Sequence, residues 1–301
     1  MSRAVSPSTN RPYGVKRVTD EWGIARSTYY DRRPGNTRER PAPKKRGPKT
    51  ELTDAELTAE IRKVLVGSRF LGEGHRKAWA RLRREKGIRT SKERVLRLMR
   101  EANLLAQPRG KRVLGPHTHD GTITTERPDV MWGTDATGTF TLTQGLVTVF
   151  FAIDHCTGEC VGIHAAKRGT RFEALEPIRQ GVRSSFGDFK QGIARGLQIR
   201  HDHGSQYMSD HFQAELRFLG MESSPSFVRA PEGNGVAERF ARTLKEQLLW
   251  IHTFADAEEL RLALHAWVKT YNEGWLVARH GYRTPAQVRR DLIAASAEVA
   301  A

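Results

Sequence analysis

The chain has 301 residues, room for about two domains, and 38% of them are hydrophobic, which excludes wholesale disorder. Its 50 Lys and Arg against 34 Asp and Glu leave a formal charge of +16, a balance suited to a polyanion such as nucleic acid or an anionic membrane surface. With two cysteines, no apolar run of membrane-spanning length and no apolar leader, the sequence offers no disulfide framework, membrane span or secretory signal, and a cytoplasmic setting is expected.

The charge is unevenly spread. Residues 1–128 carry a net +17 and residues 129–301 a net −1. This suggests a front half that grips DNA or RNA and a near-neutral back half. Residues 1–10 are rich in Ser, Thr and Pro and are expected to lack structure. In residues 12–33, Val15, Val18 and Trp22 recur at helical spacing, Gly23 breaks the run, and a second short helix begins at Ser27. Helix, glycine turn and basic helix make a helix-turn-helix pattern, so residues 1–33 are read as a DNA-binding segment. Residues 34–50 are Pro-rich and basic and read as a linker.

Residues 51–106 predict a second helical unit. Leu57, Ile61, Val64 and Leu65 share one helical face. Residues 75–86 predict a helix with Trp79 and Leu82 inward and a basic outer face, closed by Gly87. Thr90 to Glu93 has the pattern of a capping box before a third helix, whose apolar residues are Val95, Leu98, Met99 and Ala102. Its solvent face would carry Lys92, Arg94, Arg97 and Arg100, placed to meet DNA phosphates or base edges in a major groove. Residues 107–128 read as a second linker.

The back half, residues 129–290, predicts an α/β domain. Strands are expected over 131–142 and 146–154, joined by the turn Thr143–Gly145, then over 160–165. A helix follows over 170–186, a strand over 197–201, and helices over 205–219, 235–250 and 256–271, with a tail from 291 to 301. Three acids stand out. Asp135 lies mid-strand, where Asp is unfavourable. Asp202 directly follows a strand. Glu238 sits one turn into a helix, with 35 residues between it and Asp202. Two strand-associated aspartates and a helix glutamate can converge at a sheet edge. Carboxylates are the ligands Mg²⁺ prefers, and two such ions about 4 Å apart clamp the attacking and leaving oxygens of a phosphoryl transfer.

These residues carry a resemblance. Trp132–Asp135 with Thr137, His201–Tyr207, Asn234–Glu238 with Arg242–Lys245, and the tail Tyr271-Asn272…Arg279–Pro285 resemble, in that order, the DDE transposases of bacterial insertion sequences, relatives of retroviral integrases. The resemblance covers about residues 12–290. It implies a ribonuclease-H-like mixed sheet flanked by helices, preceded by small all-helical helix-turn-helix units. It also implies 3′-end cleavage and strand transfer at Asp135, Asp202 and Glu238, which would hold two Mg²⁺ ions, with Mn²⁺ able to substitute. By the same match Lys245, with Arg242 and Asn234, would touch DNA. The implied partners are double-stranded DNA (terminal repeats and target), a second copy of the chain in at least a dimer on DNA, and an upstream-frame product or fusion; no membrane is implied. One departure is Gly233, where the family often has Asp before Asn234.

Other clusters are weaker. His155, Cys156, Cys160 and His164 have zinc-like spacing, but strand alternation would send them to opposite faces. His203 could orient water or a phosphate. Two competing functions remain open from the sequence: a DNA-binding protein without catalysis, and a nuclease of the same fold that cuts without joining.

Overall fold

A computed structural model describes residues 2–31, 51–106, 123–226 and 231–300. The segment expected as the first linker, and most of the second, lie outside these residues. The chain forms two compact units, Met1–Glu51 and Leu52–Ala301.

In the first unit, α1 (Gly14–Glu21) and α2 (Arg26–Asp31) flank a turn at Gly23, whose φ of 60° suits glycine. Trp22, expected on an apolar face, is 56% exposed instead. Residues expected to lack structure form a turn, with Ser6 N–H donating to Arg11 O at 2.9 Å and a β-bridge between Val5 and Pro12.

The second unit opens with three helices: α3 (Asp54–Gly67), α4 (His75–Glu85) and α5 (Lys92–Glu101). Thr53 and Glu56 form a capping box at α3. Leu57, Ile61, Val64, Leu82, Val95, Leu98 and Met99 make their common core. The cap of α5 is Ser91, one residue after the sequence expectation, and it accepts from Arg94 N–H. Thr90 is used differently: its carbonyl accepts the Trp79 indole N–H at 2.8 Å.

A five-stranded mixed sheet follows, built from β1 (Met131–Thr141), β2 (Gly145–Asp154), β3 (Cys160–Ala166), β4 (Gln198–His201) and β5 (Glu222–Pro225). Its order is β3-β2-β1-β4-β5. β1, β2 and β3 form an antiparallel meander, while β4 and β5 add parallel to β1. This is the ribonuclease-H-like arrangement. Helices cover both faces. Val147, Val149, Phe151 and Ile153 of β2 pack with α9 (Gly235–Leu244) and α10 (Ala257–Gly274). Trp132 and Phe150 pack on the other face with α6 (Arg171–Phe186) and α8 (Asp210–Leu219). Burial on both faces explains the unbroken apolar run of β2.

Four features differ from the sequence reading. The helix expected over 205–219 is split into α7 (Ser205–Met208) and α8, because Ser209 caps the second piece. The helix expected over 235–250 continues from Lys245 to Leu249 as a π-turn. β5 was not expected, since Glu222-Ser-Ser-Pro225 has no apolar alternation. Such a sequence survives at a sheet edge, where Pro need not donate to a neighbour. Finally, α11 (Pro285–Ala300) runs through residues expected as a tail.

The helical bundle is fastened to the core. Arg81, expected on a basic outer face, is buried; its guanidinium holds Glu73 at 2.5 and 2.9 Å and donates to Gly274 O at 3.3 Å. Leu71 and Gln247 exchange two hydrogen bonds, and Phe70 meets Trp275 edge-on at 5.0 Å. α6 lies so close to β3 that a Cβ at Gly162 would stand 1.9 Å from the Pro177 carbonyl oxygen. Backbone cannot yield there, so Gly162→Ala should destabilise the fold by about 1–3 kcal/mol in denaturant unfolding. An unchanged midpoint would contradict this packing.

Candidate active site

The strand register brings the first two acids level. β1 pairs along its length with β2, Asp135 opposite Phe151. It pairs with β4 only over Met131–Gly133 against Gln198–Arg200. Asp135 and Asp202 each stand two residues beyond the last of these rungs, Gly133 opposite Arg200. Two neighbouring strands thus deliver carboxylates where the parallel pairing ends, the place where α/β sheets gather ligands. Glu238 comes from the first turn of α9, which packs against β1 and β2.

The electrostatics tie these groups together. Asp135 Oδ1 accepts the Ala136 N–H at 2.8 Å. Burial pushes its pKa from 3.8 up to about 6; the Ala136 hydrogen bond opposes this, the charges of Asp202 and Glu238 add to it, and Lys245 offsets part. Charges act on one another in this way only when close and poorly screened. Asp202, Glu238 and Lys245 therefore lie near enough to Asp135 for their charges to be felt at its carboxyl. Among the described residues, no three His, Cys, Asp or Glu side chains are grouped closely enough to hold a metal ion.

The surrounding bonds fix the presentation of each acid. Asp202 is exposed, and its Oδ1 accepts the Gly204 N–H at 2.8 Å. The buried imidazole of His201 anchors that turn, with Nδ1 at 2.6 Å from Asp202 O and Nε2 at 2.9 Å from Ser223 Oγ. His203 is exposed beside it. Tyr207 is buried behind the acids, and its phenol pKa is raised by burial and then by the Asp135 charge.

Asn234, expected to touch DNA, points inward. It is 6% exposed, and its Nδ2 donates to Thr134 O at 3.1 Å. It immediately precedes α9, so this bond ties the helix carrying Glu238 to the residue before Asp135. Arg200 explains Gly233. Its Nε donates to Gly233 O at 3.2 Å, its Nη1 donates to Ser224 Oγ at 2.9 Å, and a Cβ at 233 would stand 2.7 Å from Nη2. A side chain at 233 would therefore begin against the end of the Arg200 guanidinium.

The basic residues divide. Lys245 is at the site, whereas Arg242 is exposed and paired with Glu246 at 2.9 Å. On α5, the expected open stripe is partly used internally. Arg94 donates to Asp54 and to Leu52 O, and Arg97 bridges Asp54 and Glu101. Those two guanidinium groups hold the Asp54 carboxyl down at about 2. Lys92 and Arg100 are exposed. The sequence carried no sign of these pairings, because Asp54 lies 40 residues from Arg94. It carried a faint sign of Tyr207, which stands in the segment that follows Asp202.

A helix-turn-helix-like domain family matches residues 51–112, and an integrase core domain family matches residues 219–285. The chain is 29% identical over 287 residues to the transposase for insertion sequence element IS629 of Shigella sonnei, covering 92% of each. It is 28% identical over 223 residues to transposase InsD for insertion element IS2 of Escherichia coli, covering 72% of this chain and 73% of that protein. The solved catalytic core domain of HTLV-2 integrase in complex with magnesium superposes with a TM-score of 0.41 at 18% identity, over 54% of this chain and 97% of that one.

The raised pKa of Asp135 has a stability consequence. The folded state holds this proton more tightly than the unfolded state does. Stability is therefore fully present below about pH 4 and is lost as pH rises through about 6. In chelator-containing buffer, Asp135→Asn should be more stable than the parent at neutral pH, by up to ~3 kcal/mol, and the gap should close near pH 4. Thermal melts at the two pH values check this. A variant no more stable at neutral pH would contradict the crowded-carboxylate account.

Proposed function

We infer that this chain, an insertion-sequence transposase with an integrase core and a DDE polynucleotidyl transferase, cleaves DNA 3′ ends and joins them to target DNA through Asp135, Asp202 and Glu238. The observation that carries this reading is the placement of the acids: Asp135 and Asp202 stand level just beyond the last β1–β4 rung, and Glu238 lies in the first turn of the helix packed against β1 and β2. Mutually repelling carboxylates have no structural use in a sheet end. They suit a cation, and the all-oxygen donor set suits Mg²⁺. Asp135, Asp202 and Glu238 would hold it. Bound there, two ions would stabilise charge on the attacking and leaving oxygens of a phosphodiester.

The chain's own groups do the positioning. The Ala136 and Gly204 N–H groups orient Asp135 and Asp202. Asn234 holds the start of α9 to β1, and with it Glu238. Lys245 brings a positive charge beside the acids, where a scissile phosphate would otherwise be repelled. Water attacks the phosphorus at the element's end and displaces a 3′-OH; that 3′-OH then attacks a phosphorus of the target strand and displaces that strand's own 3′-oxygen. Both are displacements in which placement and charge stabilisation supply the rate.

The division of labour follows the chain. Residues 51–106, with their basic helices, bind the element's terminal repeats, while residues 129–290 carry the chemistry, with DNA in the cytoplasm as substrate. Joining two ends calls for at least two copies of the chain on DNA, and an upstream-frame product or fusion supplies any further end-binding unit. Among the described residues no helix is long and apolar enough to cross a membrane.

The test is a strand-transfer assay on DNA bearing the element's terminal repeats, with Mg²⁺. Asp202→Asn and Glu238→Gln should each lower cleavage and joining on the order of 10³-fold or more, with binding retained. Activity surviving Glu238→Gln would contradict the assigned site. Cutting without any joined product would make the chain a nuclease.

A further inference from the structure

With Arg94 and Arg97 paired to Asp54, the middle of α5 is not where the structure leaves room for a ligand. Room opens at the N-terminal end of α5. A 370 Å³ pocket there is lined by His75 and Arg76 of α4, Lys92, Glu93 and Leu96 of α5, and Tyr282. Tyr282 belongs to the segment between α10 and α11, so the pocket is shared between the helical bundle and the catalytic core.

Tyr282 is held there firmly. Its φ is 62°, a left-handed conformation that a bulky side chain rarely adopts. Arg84 Nη1 donates to its carbonyl at 2.5 Å, and its own N–H donates to Val277 O at 3.0 Å. Its ring meets Trp79 edge-on, with centroids 5.7 Å apart. Lys92 Nζ lies 4.6 Å from the centre of the Trp79 ring and 5.8 Å from that of Tyr282. The two rings thus set the position of a long, otherwise mobile ammonium. Arg76 and Lys92 against the single acid Glu93 leave the lining net positive.

Cations next to a half-buried aromatic ring that lines an open pocket are the chemistry of a nucleic-acid backbone site. The cations take the phosphate, and the ring takes the adjoining sugar or base. We propose that this pocket clamps a phosphodiester of duplex DNA, with Arg76 and Lys92 on the phosphate and Tyr282 against the neighbouring nucleotide. The proposal rests on the reading of the chain as a DNA transposase, and adds that the catalytic core supplies one wall of the DNA-binding site. A strand held in this pocket is registered against both domains at once. Tyr282 then helps set the distance from bound DNA to the acids.

The experiment uses the full chain and fluorescence anisotropy. The probes are a labelled duplex carrying the terminal repeat of the element that encodes the chain and an unrelated duplex of equal length. Arg76→Ala and Lys92→Gln should weaken binding to both duplexes and lower the slope of log Kd against log salt by about one each. Tyr282→Ala should weaken binding about tenfold with the slope unchanged, and Tyr282→Phe should lose much less. Thermal melts identify any variant that fails to fold, and Lys92→Gln, an exposed change, keeps the test decisive if Tyr282→Ala is one of them. If the parent binds duplex and the Arg76 and Lys92 variants bind it equally well with the same salt slope, the pocket assignment is overturned and the transposase reading stands. If the parent binds no duplex at all, both are overturned.

Discussion

Asp135 occupies a costly position. It is a carboxylate on the central strand of a sheet covered on both faces, within reach of two further negative charges. Much of the core is arranged around that placement. β2 pairs with β1 from Trp132 to Thr141. β4 pairs with its first three residues and then departs, leaving Asp202 at the same level. α9 is tied to β1 through Asn234 and brings in Glu238, and seven residues later Lys245 returns a positive charge to the site. Burial and like charge raise the free energy of the ionised cluster, and the proposed cation would relieve it.

The front of the molecule uses its charge less freely than composition suggests. Several arginines are structural. Arg81 is spent on Glu73 and Gly274, Arg94 and Arg97 on Asp54, and Arg84 on Tyr282 and Gln287. Two of these, Arg81 and Arg84, fasten the helical bundle to the core. A bundle fixed in this way presents its remaining cations, Arg76, Lys92 and Arg100 among them, at a set position relative to the acids. Within the unit formed by Leu52–Ala301, these cations and the acids therefore share one frame.

The sequence made a good part of this legible. The hairpin of β1 and β2 was visible because its strands are long, β-branched and aromatic, with a polar turn between them. Asp135 was visible because it is out of place in a strand and Asp202 because it follows a strand end, while Glu238 was visible through its spacing from Asp202 and the recognisable order of the motifs. What stayed hidden is set by partners distant in sequence. The inward turn of Asn234 depends on Thr134, the filling of Gly233 depends on Arg200, and the internal use of Arg94 depends on Asp54. β5 escaped because an edge strand needs no apolar alternation, and the π-turn at Lys245 because its residues are ordinary helix formers. Periodicity reports which face is buried, not which atom it meets.

The three carboxylates from β1, the end of β4 and α9 are proposed to form one cation-binding site. Anomalous diffraction from crystals of the protein soaked in Mn²⁺, used as a probe for Mg²⁺, tests it most directly. Anomalous density is expected between Asp135 and Asp202, with Glu238 at its edge, and is expected to be lost in Asp135→Asn. Density elsewhere on the chain, with none at Asp135 under saturating metal, would contradict it.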